Sequence, residues 1–373
     1  MIKELLDNFN PLEYSGWLIF ITGFISFVVS VMSYPAIINV AKAKNLMDDS
    51  DERSSHTGKI PNLGGIGIYL SIVIAITITG AVLDTKRLFL ILGSITLLFF
   101  LGLKDDILIL SPRKKFIGQL LVAALLIVFT DTRIIGLSGL FAVTIMPYYL
   151  SVLFTLFVCI LVINAFNLID GVDGLAGTLA LLATISYGII FYQYDDISMV
   201  VLAGAVCGAL LPFLYLNFSK RNKMFLGDTG SMILGFIIAV FTIRFIHSSE
   251  VSLTRVYRES SPVIALAILF FPLLDTIRIF FIRLVIHKKS PFMADKNHLH
   301  HKFLNFGFSH IKVTTIIVVV NAILIVLAFF CRHYDIHLQL AILLIIGTCL
   351  YSGCFCYYWL KTPKKEYSTK ELN

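Results

Sequence analysis

Four short polar segments carry the residues able to do chemistry in an otherwise apolar chain. GLKDD (102–106) sets two adjacent carboxylates, Asp105 and Asp106, directly behind an apolar run. Neighbouring carboxylates repel, and at a membrane boundary they call for a cation. A hydrated Mg²⁺, which takes one or two carboxylates plus phosphate oxygens, is one answer; a solvated cap beside Lys104 is the other. NAFNLIDGVDGLAG (164–177) brings Asn164, Asn167, Asp170 and Asp173 together with glycines. If a helix begins there, the two aspartates share its N-terminal face. Capping would account for one of them, but Asn164 lies inside an apolar stretch, where an amide needs partners. Glycines around Gly171 allow a ligand close to the backbone, and amides at a helix start suit an anion. FLGDTGS (225–231) lacks the Gly-Lys-Ser/Thr of a P-loop. Asp228 there reads equally as a helix cap or a ligand, and Phe225 as an interfacial anchor or a platform for a flat base. Finally, SPFMADKNHLHH (290–301) sets His298, His300 and His301 beside Lys296 and Lys302. Two imidazoles three apart could hold zinc, but with no HExxH glutamate and no nearby cysteine the cluster fits phosphate better.

The elements that must position these groups are transmembrane helices. The 373 residues are 58% hydrophobic and 14% charged, where soluble domains carry about 25% charged residues. The apolar stretches are continuous, so a β-barrel is excluded and an all-α polytopic membrane protein is expected. Eleven spans are predicted, at 16–38, 64–83, 88–103, 116–130, 146–166, 174–192, 197–216, 229–246, 261–282, 313–331 and 338–360. They form one catalytic domain over 1–373, with a basic tail at 361–373. The third and fourth are short, as for helices ending at a water-filled cavity. Met1 to Tyr14 is polar and runs into a full-length span, so no cleavable signal peptide is expected. The six cysteines sit in or beside apolar runs and read as small hydrophobes.

Orientation follows from charge. Loops after odd-numbered spans, with the C-terminal tail, hold 21 Lys and Arg, against 7 in the N-terminal arm and the remaining loops. This bias places the odd side in the cytoplasm, and the net charge of +7 suits anionic headgroups and phosphate-bearing ligands. Every polar segment named above, together with 51–65, 111–115 and 217–228, emerges on that face. Five loops converging there read as parts of one site. Asp275 and Arg278, inside the ninth span, read as a structural pair.

These motifs, in this order from about Ser54 to His301, resemble the signature segments of the polyprenyl-phosphate N-acetylhexosamine-1-phosphate transferases, a superfamily that includes the phospho-MurNAc-pentapeptide transferases. The HLHH form preceded by SPF resembles the branch using UDP-GlcNAc or a related UDP-HexNAc; the pentapeptide branch is the alternative. The resemblance implies transfer of a HexNAc-1-phosphate from a UDP-sugar to undecaprenyl phosphate, with release of UMP, as the first membrane step of cell-envelope polysaccharide synthesis in the bacterial cytoplasmic membrane. It implies Mg²⁺, or else Mn²⁺, held by Asp228 with Asp105, Asp106 and Asn167. It also implies phosphate held by Lys115 and uracil stacked on Phe225. Asn217, Asp173 and the Gly171 region would contact nucleoside, while His301, with His298 and His300, would meet the sugar or diphosphate. Asp170 and Asn164 join this set as catalytic and substrate-contacting residues. A phosphate monoester has its second pKa near 6, so direct attack by the lipid phosphate is favoured, with Asp105 or Asp106 orienting it. The expected partners are the UDP-sugar, undecaprenyl phosphate and membrane lipids, with no nucleic acid. Homodimers are common in that family, though no residue here argues for one. The competing class is a transporter of an anionic solute, whose polar residues should lie near mid-membrane in two repeated halves.

Overall fold

The computed structural model describes residues 10–48, 60–83, 86–108, 110–251, 256–286, 288, 299, 303–304 and 307–361. His298, His300 and His301 lie outside them. Among these residues twelve α-helices follow in order: α1 (Ser15–Ala43), α2 (Gly64–Thr79), α3 (Lys86–Leu108), α4 (Pro112–Thr130), α5 (Tyr148–Leu168), α6 (Leu175–Gln193), α7 (Ile197–Asn217), α8 (Gly227–Val251), α9 (Ser261–Ile268), α10 (Phe270–Phe281), α11 (His310–Cys331) and α12 (Ile336–Lys361). The extended structure among the described residues is a two-residue antiparallel pair, Met47–Asp48 with Ile60–Pro61. The chain is therefore an all-α polytopic membrane protein.

A helix stands in each of the eleven expected intervals, the ninth being shared by α9 and α10. Among the described residues eight helices are long and apolar enough to cross a bilayer, or nine with the bent pair α9–α10. The two intervals that fall short have physical reasons. Helix α2 has only 16 residues before a 3₁₀ turn at Gly80–Val82, against roughly 20 needed to span. Helix α4 opens on Pro112-Arg113-Lys114-Lys115, so charge occupies its first turn. Helix α3 was expected to be short and is not. It runs 23 residues and carries Lys104, Asp105 and Asp106 in its last turns, because the carboxylates find partners on α8.

Helix α8 is the centre of the bundle. Of its most apolar 18-residue window 94% is buried, and α2, α3, α5, α6 and α9 pack around it. Two glycines let backbones touch here. A Cβ on Gly65 would lie 2.2 Å from the Gly230 nitrogen, and one on Gly102 would lie 2.4 Å from the Thr229 Cα. On the flank, α1 packs on α7 through small residues, with Ser26 and Ser30 donating to the Ala205 and Ala209 carbonyls at 2.6 and 3.1 Å. Without a hydrophobic driving force in lipid, such close packing and interhelical bonding hold helices together.

Helices α9 and α10 meet at 77° across Leu269. The break frees backbone groups that must be satisfied inside the bundle. Asn321 of α11, fully buried, supplies them: its Oδ1 accepts from Phe271 N at 3.1 Å, and its Nδ2 donates to the Ala267 and Ile268 carbonyls at 3.4 and 3.1 Å.

Candidate active site

Helix ends assemble the site. The C-termini of α3, α5 and α7 and the N-termini of α4 and α8 meet at one end of the bundle, as the alternation of spans requires. At their centre, the Lys115 ammonium pairs with the Asp105 carboxylate and lies 3.4 Å from Asp228 Oδ2. The Asp105 and Asp228 carboxylates thus share one ammonium between them. The parts are not equally accessible. The side chains of Lys115 and Asp228 are 25% and 31% exposed, that of Asp105 only 1%. A ligand arriving from solvent therefore meets Lys115 and Asp228, with Asp105 behind them.

Asp105 and Asp106 are neighbours with different tasks. Asp105 accepts from Leu110 N at 2.5 Å, closing the turn between α3 and α4, and holds Lys115. Asp106 caps α8 from another helix: it accepts from Asp228 N at 2.7 Å, from Thr229 N at 3.1 Å and from Thr229 Oγ1 at 2.5 Å. An acidic group at a helix N-terminus satisfies otherwise unpaired N–H groups and complements the dipole. Both carboxylates were read from sequence as groups that orient the acceptor. Asp106 is instead committed to bracing the turn that presents Asp228.

Asn167 donates to Asp228 Oδ1, and at 2.9 Å to Ser231 Oγ. Its amide nitrogen thus orients Asp228 instead of facing outward. Asn164, one turn earlier, donates to Gln119 Oε1 at 2.9 Å and to the Ile160 carbonyl at 2.8 Å. This answers how an amide survives in an apolar span, and it ties α5 to α4 beneath Lys115. The substrate contact read for Asn164 is not where its amide nitrogen points.

Helix α6 starts at Leu175, after Gly174 in the left-handed conformation (φ +73°). Asp170 and Asp173 therefore stand in the preceding turn and not on a shared helix face, as the spacing had led us to expect. Asp170 is half-buried as a residue. Desolvation of its carboxyl, reinforced by Asp228, Asp106 and Asp173 nearby, pushes its pKa well above the usual carboxylate range. Four carboxylates gathered this closely make the end of the bundle a region of negative potential that favours a bound cation.

Asn217 closes the turn from the other side. It is buried, with Oδ1 accepting from Gly174 N at 2.5 Å and Nδ2 donating to the Met224 carbonyl at 2.6 Å. The nucleoside contact implied for it gives way to a structural one, because both ends of the amide are bonded to backbone. Phe225 is half-buried beside it. Its backbone is clamped by the Pro61 carbonyl at 2.9 Å and by Gly64 N at 3.0 Å, and the Lys223 ammonium lies 5.4 Å from its ring centroid. Lys223 also pairs with Asp173 Oδ2 at 2.6 Å.

Of the histidine motif, Leu299 is described, and its backbone N–H donates to Asp275 Oδ1 at 2.7 Å. Asp275, read from sequence as the partner of Arg278, thereby ties the motif to α10. Sequence reasoning missed Thr229, Gln119, Ser231, Lys223 and His310. The signal for Gln119 was an amide in the apolar part of α4, equivalent to the one noticed at Asn164. The others are ordinary polar residues near charged ones, and only the fold joins them.

Among the described residues no three His, Cys, Asp or Glu side chains come together as a ready-made metal site. The donor set nonetheless suits a hard cation that shares its shell with a ligand. Asp228 and Asp105 present carboxylate oxygens around one point of positive charge, now supplied by Lys115. Mg²⁺ is commonly held by one or two carboxylates together with substrate phosphates.

Residues 88–246 match the family model described as glycosyl transferase family 4. The chain is 29% identical over 331 residues to a probable undecaprenyl-phosphate N-acetylglucosaminyl 1-phosphate transferase of Bacillus subtilis (strain 168), covering 86% of this chain and 88% of the relative. It is likewise 29% identical over 328 residues to an undecaprenyl-phosphate alpha-N-acetylglucosaminyl 1-phosphate transferase of Escherichia coli O157:H7, covering 86% of each. A protein of the same description from Yersinia pestis matches at 29% over 291 residues, 76% of each chain. The resemblance carried by the motifs and these similarities agree.

Proposed function

We infer that the chain is a member of the polyprenyl-phosphate N-acetylhexosamine-1-phosphate transferases, moving GlcNAc-1-phosphate from UDP-GlcNAc to undecaprenyl phosphate at the cytoplasmic face of a bacterial inner membrane. The observation that carries this reading is the Lys115–Asp105–Asp228 cluster, built from helix ends where an apolar acceptor and a water-soluble diphosphate can meet. The names of the similar proteins favour GlcNAc, and the basic loops favour the cytoplasmic face.

The reaction exchanges one phosphoanhydride for another. An oxygen of the lipid phosphate attacks the β-phosphorus of the UDP-sugar, the bond from that phosphorus to the bridging oxygen breaks, and UMP leaves with the electron pair. Catalysis then consists of alignment and charge neutralisation. Lys115 is the exposed cation of the cluster, placed to meet phosphate oxygens. Asp105 holds Lys115 from behind, and Asp106 with Asn167 fixes the direction of Asp228. Mg²⁺, held by Asp228 with Asp105, would supply further neutralisation of the diphosphate when bound. The lipid phosphate is largely deprotonated at neutral pH, since its second pKa is near 6, so no strong base is required. Phe225 offers a face to the uracil, and Asp173 with Lys223 lies beside it.

A transporter would place its polar groups along a path through the membrane. Here the cluster of Lys115, Asp105, Asp106 and Asp228 sits at one end of the bundle, which favours surface chemistry. Purified protein incubated with a panel of UDP-HexNAcs, Mg²⁺ and undecaprenyl phosphate tests the reading. UMP release dependent on UDP-GlcNAc and on the lipid is the expected result. No release with any donor would overturn it, and release with another donor alone would correct the sugar.

A further inference from the structure

Asp173 is held more thoroughly than a turn residue requires. Its backbone N–H lies 3.2 Å from His310 Nδ1, and its carbonyl accepts from Thr314 Oγ1 at 2.8 Å. Its Oδ2 lies 2.6 Å from the Lys223 ammonium and 3.3 Å from the same His310 Nδ1. One Nδ1 cannot accept from the N–H and donate to the carboxylate together. The carboxylate is already paired to Lys223, and Nδ1 accepts from the backbone N–H. His310 and Thr314 are four apart at the start of α11, so they project from one face. Ser309 caps that helix through Lys312 N at 3.4 Å, which fixes where the imidazole stands.

The three partners come from two separate parts of the chain, the α7–α8 connection and the first turns of α11. Both meet at Asp173, in the turn before α6, whereas Lys115 and Asp228 stand at the starts of α4 and α8. What they reach is the Phe225 ring, over which the Lys223 ammonium stands at 5.4 Å from the centroid. The side chains of Asp173 and Lys223 are 15% and 17% exposed: enclosed, yet open to a ligand on one edge. A flat base laid on Phe225 would bring its polar edge against this pair.

We propose that His310 is a positioning residue for the nucleotide, setting through Asp173 the polar edge that a base stacked on Phe225 must meet. The proposal rests on the transferase reading. Thr314 supports the same turn from the carbonyl side, and Lys223 closes it from the opposite flank. α11 thereby has a part in donor binding, although it lies outside the motifs that carry the resemblance.

Binding made equally in ground and transition states appears in KM and leaves kcat alone. His310→Ala should therefore raise the KM for UDP-GlcNAc by about tenfold, as expected for one lost hydrogen bond to a half-buried group. The value of kcat and the KM for undecaprenyl phosphate should stay within about twofold. In His310→Asn the side-chain oxygen takes the place of Nδ1, so most of the donor KM should be restored. Thr314→Val should move the donor KM in the same direction by less, and Thr315→Val, one residue along and facing away, should not move it. UMP affinity measured by calorimetry should follow the donor KM. An unchanged donor KM in His310→Ala, a loss confined to kcat, or equal defects in His310→Ala and His310→Asn would overturn the proposal. Should His310→Ala fail to fold, the comparison of His310→Asn with Thr314→Val decides the matter, an unchanged donor KM in Thr314→Val overturning it. If the wild type releases no UMP from UDP-GlcNAc, the transferase reading fails. UMP affinity still decides the role of His310, and no loss in the variant would refute it.

Discussion

Asp106→Asn separates a brace from a chemical group. Asp106 accepts three hydrogen bonds from the first residues of α8, and so holds the backbone on which Asp228 is carried. The asparagine oxygen can take the place of Oδ2 and keep both bonds from Thr229, but its NH₂ then faces the Asp228 N–H, a donor it cannot bond. The remaining loss is a cap and part of a charge-assisted pair. Caps contribute about 0.5–2 kcal/mol, and hydrogen bonds to charged groups about 1.5–3 kcal/mol. Asp106 is half-buried, so water recovers part of this, and about 1–2 kcal/mol is the expected net. That corresponds to roughly a 5–30-fold fall in kcat/KM, with a melting temperature lower by a few degrees (about 2–4 °C per kcal/mol in larger domains). Thr229→Val, which removes the 2.5 Å bond from the hydroxyl, should cost about 1 kcal/mol, or roughly fivefold. Steady-state UMP release and thermal unfolding in the same detergent read both quantities. If Asp106→Asn is as dead as Asp228→Ala while its melting temperature is unchanged, Asp106 takes part in the chemistry and the bracing argument is wrong.

Asp228→Ala should abolish turnover and flatten the dependence on Mg²⁺ concentration, since it removes the exposed carboxylate of the cluster; a variant retaining a Mg²⁺ titration like the wild type's would refute this. Asp196→Asn should leave kcat/KM nearly unchanged yet lower the melting temperature. Asp196 pairs with Arg244 at 2.7 Å and with Arg87 at 3.8 Å, and Arg244 is 16 residues along α8 from Asp228, about 24 Å. Equal loss of activity in Asp196→Asn and Asp228→Ala would mean that the site is at the wrong end of the bundle. Direct attack by the lipid requires that UMP release await the acceptor, and a stoichiometric UMP burst from lipid-stripped enzyme and UDP-GlcNAc would establish a covalent route instead. Asn321→Leu should destabilise the protein by about 1–3 kcal/mol for each backbone group left unpaired at the α9–α10 break, seen as a lower melting temperature, whereas an unchanged one would show that the break is held by packing alone.

Much of this arrangement was legible in the sequence because membrane insertion makes polarity expensive. Continuous apolar runs located the helices, and carboxylates or amides at their ends marked the site before any distance was known. What could not be read were relations between distant residues. The aspartates of GLKDD look alike in one dimension, and only the approach of α8 makes Asp105 an anchor for Lys115 and Asp106 a cap. Asn217 reads as an available amide until Gly174 and Met224 occupy both its ends. The left-handed Gly174, which sets Asp173 outside α6, is not announced by the flanking sequence. The break at Leu269 is marked by Pro272, whose missing N–H leaves the Ile268 carbonyl without its helical partner. Its compensation, Asn321, lies 52 positions downstream, and in sequence resembles any other polar residue in an apolar helix.

The glycine contacts of α8 bear on how this site answers temperature and evolution. At Gly65 and Gly102 main chain rests on main chain, leaving no layer of side chains that could change rotamer and absorb a shift. The first turn of α8, with the dipoles and carboxylate it carries, is thus fixed to its neighbours as part of one rigid body. Reorganisation during the reaction is then confined to the ligands and the groups at the rim. Such prearranged polarity lowers a barrier without a matching rearrangement of the protein. The same rigidity makes the contact intolerant. A single methyl at Gly65 must push α2 and α8 apart, and the displacement would reach Asp228 undamped. Variation in donor preference should accordingly accumulate in the α5–α6 turn, the α7–α8 connection and α11, while the three-helix junction beneath the phosphates stays the same.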